Sequence, residues 1–238
     1  MSDKIFFLID PNNISNNKFF LNKQESHHLI NVLRKPIGTE IWLINGIGCT
    51  YRSIVQKFNN DIVSGQIIEE YLKYGENSIQ VVLGIGILKK DKMNIVVEKA
   101  TELGINIIAP LLLDKCIKRD INYERLINIS KSAVKQCGRS VIPSIQKPIS
   151  LNELLVNYNE NAILVCHELG NHGIDILPKV LNHKSKILLI VGPEGDFSKK
   201  EIELFKSHDA KFINLGNRRL RSETAVITAL SQLNLFYK

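Results

Sequence analysis

The sequence predicts an α/β protein in which a small β-barrel-like domain precedes a larger domain of alternating strands and helices. Two changes of pattern support this. Up to about Tyr74, apolar residues gather in short strand-like runs parted by turn clusters. From Ser78 onward, runs that are apolar on both faces alternate with amphipathic stretches. Strands buried on both faces with helices between them form a parallel sheet covered on each side. With 238 residues, 44% of them hydrophobic, the chain can fill one large core or two smaller ones.

In the N-terminal part the strands are KIFFLI, EIWLIN, TYRSIVQKF and IVSGQIIEEY, with NGIG (Asn45 to Gly48) and NND (Asn59 to Asp61) as turns. One helix interrupts them, QESHHLINVLR, with Leu29, Val32 and Leu33 on one face and Ser26 as its candidate cap. The polar segment YLKYGENS around Gly75 sets the domain boundary, giving residues 1–74 and 75–238. Beyond it, strands are expected at IQVVLGIGI, INIIAPLLL, AILVCHE, KILLIVG and AKFINLG, and helices near 91–103, 123–137, 151–158, 199–208 and 222–235. Met93, Val96, Val97, Ala100 and Leu103 form an apolar stripe that ends at Gly104, a residue suited to follow a helix. Ser150 to Glu153 has capping-box spacing.

A net charge of +7 and a pI near 9.2 favour an acidic partner, most commonly nucleic acid. Residues 1–75 hold eight Lys and Arg against seven Asp and Glu, and residues 76–238 hold 23 against 17, so most of the excess lies in the larger part. Apolar runs such as Ile187 to Gly192 fall far short of the ~20 residues that cross a bilayer, so no membrane span is expected. The N-terminus, MSDKIFFLIDPNN, lacks the layout of a secretory signal, which makes the cytoplasm the expected location. Cys49, Cys116, Cys137 and Cys166 form no CxxC and have no histidine at ligand spacing. They read as reduced thiols in or near cores, with neither a metal site nor a disulfide framework.

Two loops at strand ends carry the chemistry. After ILLIV comes Gly192-Pro193-Glu194-Gly195-Asp196, then Phe197-Ser198-Lys199-Lys200-Glu201-Ile202. Ser198 and Glu201 match a capping box and Phe197 can staple onto Ile202, so the first-turn N–H groups are partly satisfied from within and less available to phosphate. Glu194 and Asp196 would repel a phosphate, which points to a ligand that is neutral or cationic where it meets this turn. A capped strand-to-helix turn without a ligand is the competing reading. The second loop, NLGNRRLRSETAVITAL, places Arg218, Arg219 and Arg221 between a strand end and a helix expected to start near Glu223 with Ser222 as cap. Guanidinium forks suit phosphate or carboxylate recognition. Glu223 also has a purely structural use, because a carboxylate in a first helical turn favours the helix dipole. Further basic groups stand in LKKDKM (Leu88 to Met93) and in AVKQCGRS, with Lys135, Gln136 and Arg139. A loop for a neutral or cationic nucleoside beside loops for phosphates fits S-adenosylmethionine next to RNA.

These residues carry a resemblance. IVGPEGDFSKKEI with LGNRRLRSETAVITAL resembles the C-terminal signature of the SPOUT class of methyltransferases. KKDKMNIVVEKATELGINIIAPLLLDKC, AVKQCGRSVIPSI and HHLINVLR narrow it to the RsmE family, the 16S ribosomal RNA uridine-N3 methyltransferases. The resemblance covers nearly the whole chain. It implies a PUA-like N-terminal barrel that helps hold RNA, a C-terminal α/β domain with a trefoil knot, a homodimer, and S-adenosylmethionine as cofactor without any metal. It assigns the cofactor pocket to Val191, Gly192, Pro193, Glu194 and Gly195, and to Leu215, Gly216, Asn217, Leu220 and Arg221. Cys166, His167 and Glu168 form a third wall, although His167 reads equally as a satisfied histidine at the core edge. His28, Arg34, Lys89, Lys90 and Arg139 are assigned to RNA, with an internal ion pair as the alternative for arginine. Arg221 is the candidate for stabilising charge on the uracil, and Glu223 for accepting its N3 proton. Asp196 departs from the family, where a second glycine is usual. The alternatives are a 2′-O-ribose methyltransferase of the same fold class and a non-catalytic assembly factor that binds ribosomal RNA.

Overall fold

Short runs rich in apolar side chains build the first sheet. The computed structural model describes residues 4–171, 173–176 and 186–236. By contact density the chain forms two units, Met1–Glu76 with Lys131–Ile142, and Asn77–Ser130 with Pro143–Lys238. The first unit contains β1 (Phe6–Leu8), β2 (Ile14–Ser15), β3 (Lys18–Phe20), the helix α1 (Lys23–His27), β4 (Glu40–Ile44), β5 (Cys49–Asn59) and β6 (Ile62–Leu72). Its strands run in the order β1-β4-β5-β6-β3-β2. The β1 and β4 strands pair in parallel, and the other pairs are antiparallel. Phe7, Phe19, Leu21, Leu29, Ile41, Leu43, Val55 and Val63 close the core of this unit.

The helix in this unit differs from the sequence expectation. Ser26 does not cap it. Asn22 does, its side chain accepting the Glu25 N–H at 2.8 Å. Ser26 is buried inside the helix, where its Oγ accepts the Val63 N–H at 3.0 Å and so joins helix to strand. After His27 the backbone loosens into a π-helical turn, His28–Val32. Beyond Gly75, the segment Lys131–Ile142 also groups with this unit. Lys135 pairs with the buried Glu25 at 2.8 Å, and a Cβ on Gly138 would lie 2.6 Å from the Phe6 ring.

The second unit begins with β7 (Gln80–Gly86) and α2 (Lys90–Glu102), followed by β8 (Ile107–Leu111), the part of α3 (Tyr123–Cys137) up to Ser130, β9 (Ser144–Ile145) and α4 (Leu151–Asn157). It continues with β10 (Ala162–Cys166), β11 (Lys186–Val191), α5 (Lys199–Ser207), β12 (Lys211–Ile213) and α6 (Ser222–Asn234). The strand order is β12-β10-β11-β7-β8-β9, and every pair is parallel. Covering on both faces is visible within a single strand. Ile187, Leu189 and Val191 pack with the α2 and α6 residues Met93, Val97, Val226 and Leu230. Leu188 and Ile190 pack with Leu151, Leu154 and Leu155 of α4 and Phe205 of α5. Gly104 follows the C-cap of α2 in the left-handed region at φ +87°, as the end of the apolar stripe predicts.

Among the caps, Ser150 accepts the Glu153 N–H at the start of α4, and Ser198 with Glu201 forms a full capping box on α5. Ser222 is instead the first residue of α6. Arg221 takes the N-cap position without a side-chain bond, because its extended backbone, φ −69° and ψ 154°, ends one residue earlier than expected. No disulfide joins the four cysteines, and Cys116 is buried. Cys137, expected near a core, is exposed at the end of α3.

Arg139, a candidate RNA contact, is buried instead at 2% exposure. Its Nε and Nη2 donate to the Glu76 carboxylate at 3.2 and 2.6 Å, and Glu76 also accepts the Val141 N–H at 2.9 Å. The internal ion pair is therefore the role of this arginine. Removing one partner of a buried pair strands the other charge away from water. Glu76→Ala is expected to cost about 3–5 kcal/mol in denaturant unfolding, and a loss under about 1 kcal/mol, the size of an exposed pair, would contradict this.

Candidate active site

Parallel strands present their C-terminal ends together, and three of them meet here. Cys166 of β10 is in register with Val191 of β11 and with Ile213 of β12. The loops that leave these ends enclose a cleft of about 680 Å³, where ligands of open α/β sheets gather.

The loop after β11 brings Val191, Gly192, Pro193, Glu194 and Asp196 to the cleft. The Asp196 N–H donates to the Pro193 carbonyl at 3.0 Å and closes the turn. Asp196 then adopts φ +63°, a left-handed conformation that aspartate tolerates, and its Oδ1 accepts the Phe197 N–H at 2.8 Å. This accounts for an aspartate at a position whose backbone would also suit glycine. Close approach explains the neighbouring glycines. A Cβ on Gly195 would lie 2.9 Å from the Lys115 Cβ, and one on Gly86, at the end of β7, would lie 2.7 Å from the Pro193 nitrogen. Gly195 thus backs onto Lys115 and stands outside the cleft lining, contrary to its assignment from sequence.

The loop after β12 supplies Asn214, Leu215, Gly216, Asn217, Leu220 and the exposed Arg218, Arg219 and Arg221. Asn214 Oδ1 accepts the Gly216 N–H at 2.9 Å. Gly216 has φ +128°, and a Cβ there would meet nothing within 4 Å, so conformation rather than space calls for glycine. Glu223 is the second residue of α6, outside the lining, with Oε2 enclosed and no hydrogen bond to it among the described residues.

Cys166, His167 and Glu168 form the third wall. Burial pushes the Cys166 thiol up to about 12, so it remains protonated. His167 Nδ1 accepts the Leu169 N–H at 3.0 Å, which in a neutral ring leaves the proton on Nε2, 3.4 Å from Asp196 Oδ2. The ring also meets Phe212 edge-on, with centroids 5.9 Å apart. His167 is therefore both packed at the core edge and part of the cleft.

Lys92 lines the cleft, as do Asn214, Ser222 and Ala225, and none of these is assigned to the site from sequence, where Lys89 and Lys90 stand instead. Those two are exposed at the start of α2 and outside the lining, whereas Lys92 reaches Glu194 at 3.1 Å. The lysine cluster was visible in the sequence. Which member faces the cleft depends on β7 lying beside β11. His28 and Arg34 belong to the first unit, His28 half-buried with its ring 5.9 Å from Phe7 and Arg34 exposed at φ +51°. The cleft thus has Glu168, Glu194 and Asp196 from two loops, and Arg218, Arg219 and Arg221 from the third. Among the described residues no group of three or more His, Cys, Asp or Glu side chains could hold a metal ion.

Comparison with known proteins agrees across both parts of the chain. Residues 75–234 match the model of an RNA methyltransferase domain, and residues 21–68 that of an RNA methyltransferase PUA domain. Ribosomal RNA small subunit methyltransferase E of Rickettsia conorii is 34% identical over 88% of this chain and 86% of its own length. The protein of the same name from Bacillus subtilis is 30% identical over 91% and 89%. Among solved structures, ribosomal RNA small subunit methyltransferase E of Neisseria gonorrhoeae bound to S-adenosyl methionine superposes with a TM-score of 0.86 at 25% identity, covering 98% of each chain. A Legionella pneumophila methyltransferase in complex with the same cofactor gives 0.81 at 27% identity, covering 99% of this chain and 98% of its own.

Burial tends to raise the Glu194 carboxyl, but the backbone N–H groups of Glu194 and Lys89 and the Lys92 ammonium outweigh it and hold the pKa below the ordinary value. The carboxylate therefore persists as the pH falls into the usual carboxylate range. Its pairing with Lys92 is lost only as the pH drops through the depressed value. Lys92→Met is expected to move the Glu194 titration midpoint upward in carbon-detected NMR, and an unmoved midpoint would contradict the pairing.

Proposed function

The chain belongs to the ribosomal RNA small subunit methyltransferase E family, and from that premise we propose that it transfers a methyl group from S-adenosylmethionine to N3 of a uridine in 16S ribosomal RNA. The observation that carries this reading is the division of charge in one cleft, with carboxylates beside a glycine turn and three arginines opposite. The turn suits this cofactor, which is cationic at sulfur and has no phosphates. The start of α5 supports the same view, since the capping box engages the Ser198 and Glu201 N–H groups and leaves fewer for a phosphate. Val191, Gly192, Pro193, Glu194 and His167 would hold the cofactor from one side, and Leu215, Gly216, Asn217 and Leu220 from the other. When bound, it supplies an electrophilic methyl group on a sulfonium.

The work of the protein is to present the uracil to that group. N3 sits on the Watson–Crick edge, so the uridine must enter the cleft unpaired or extruded. N3 must also lose its proton, and the resulting charge spreads to the flanking carbonyl oxygens. Arg221, exposed and part of the cleft lining, would stabilise that charge. Glu223, with one enclosed oxygen that no described residue engages, is the acceptor for the proton, directly or through water. Alignment of the two reactants supplies much of the remaining acceleration.

RNA flanking the target would meet Arg218, Arg219, Lys89 and Lys90, with His28 and Arg34 of the PUA-like unit as further contacts. The net charge of +7 supports a polyanionic partner. The same reading includes the trefoil knot, a homodimer, action on the small ribosomal subunit and a cytoplasmic location. Among the described residues no helix is long and apolar enough to cross a membrane.

Nucleoside mass spectrometry of ribosomal RNA treated with the protein and S-adenosylmethionine is expected to find 3-methyluridine. Methylation of ribose, or none, would contradict the reading. Arg221→Ala should lower turnover by roughly 10²–10³, the cost of removing one charge-stabilising group, with the unfolding midpoint unchanged. Near-normal turnover would remove Arg221 from this role.

A further inference from the structure

Glu201 has one more partner than its helix requires. In a capping box its carboxylate accepts only the N-cap N–H, which Oε2 does from Ser198 at 2.7 Å. Its Oε1 also accepts the Asp114 N–H at 2.8 Å, from the loop that follows β8. Glu201 is 7% exposed and stands outside the cleft lining. Around it the same loop is fastened to the same helix start. Ser198 Oγ donates to Asp114 Oδ2 at 2.6 Å, and Lys115 Nζ donates to the Phe197 carbonyl at 2.9 Å. The Lys115 side chain also fills the space beside Gly195 that a Cβ would need.

We propose that Glu201 is a positioning residue for the methyl donor, holding the Gly192–Asp196 turn in place by bolting the β8 loop behind it. The inference rests on the functional reading above and adds to it a residue that touches neither cofactor nor RNA. The turn has two supports. Pro193 rests on Gly86 from the sheet side, and the β8 loop backs the turn at Gly195. The second support is polar and converges on one carboxylate. Two N–H donors arriving at two oxygens of one group also explain why a carboxylate is required here. A glutamine could accept only one of them, and its amide would turn a donor toward the other.

The test compares Glu201→Gln and Lys115→Met with Ser150→Ala, which removes the cap of α4 and has no contact with the turn. Cofactor affinity is measured by calorimetry, KM and kcat by methyl transfer, and stability by thermal unfolding. Glu201→Gln and Lys115→Met are each expected to weaken S-adenosylmethionine about tenfold, with kcat at saturating cofactor within about twofold of the parent. Ser150→Ala should lower Tm and leave cofactor affinity unchanged. Parental affinity in Glu201→Gln or Lys115→Met would overturn the proposal, as would an equal loss of affinity in Ser150→Ala. If Glu201→Gln does not fold, Lys115→Met decides alone. Failure of the parent protein itself to bind S-adenosylmethionine would instead overturn the functional reading, and this inference with it.

Discussion

The parallel pairing of β11 with β10 on one side and β7 on the other is the constraint on which the rest of the site depends. A strand formed late in the chain occupies the middle of the sheet, so the loop leaving it emerges among the loops of its neighbours. The register that puts Cys166 beside both Val191 and Ile213 brings three loops to one opening. Pairing with β7 brings Gly86 under Pro193, and a Cβ at that glycine would collide with backbone and ring at 2.7 and 2.8 Å. Rigid neighbours of this kind cannot yield as a flexible side chain would. Lys92 reaches Glu194 because α2 follows β7.

Charge then sorts what the opening can accept. Glu194 keeps its carboxylate because backbone N–H groups and Lys92 outweigh its burial. Asp196 spends one oxygen on the Phe197 N–H and turns the other toward His167. Both acids are therefore restrained by specific partners at the turn, whereas the arginines of the β12 loop are exposed. An anion is opposed at the first surface and attracted at the second. Acids with specific partners on one side and exposed cations on the other suit a cofactor held beside a polyanion that comes and goes.

Much of this was legible in the sequence because its causes are local. The stripe from Met93 to Leu103 predicts α2 closely, and the Ser198 and Glu201 spacing predicts the start of α5. Strands of two residues, Ile14–Ser15 and Ser144–Ile145, carry too little pattern to register. Ser26 and Ser222 have the residue type of a cap, but the extended backbone that makes Asn22 and Arg221 the caps has no local signature. Arg139 and Glu76 are 63 residues apart, so their burial follows from tertiary structure that no local pattern encodes. Gly195 looked like part of the pocket because it shares a turn with residues that are, and only the position of Lys115 shows which way it faces.

The central claim is that the cleft at the ends of β10, β11 and β12 holds S-adenosylmethionine. Titrating the isotope-labelled protein with this cofactor and following backbone amides by NMR tests it most directly. Shifts should be largest at Gly192, Glu194, Gly216 and Asn217, saturate with one cofactor per chain, and be small at Gly38 and Gly65 of the first unit. The absence of shifts at the first four residues, or shifts confined to the first unit, would contradict it.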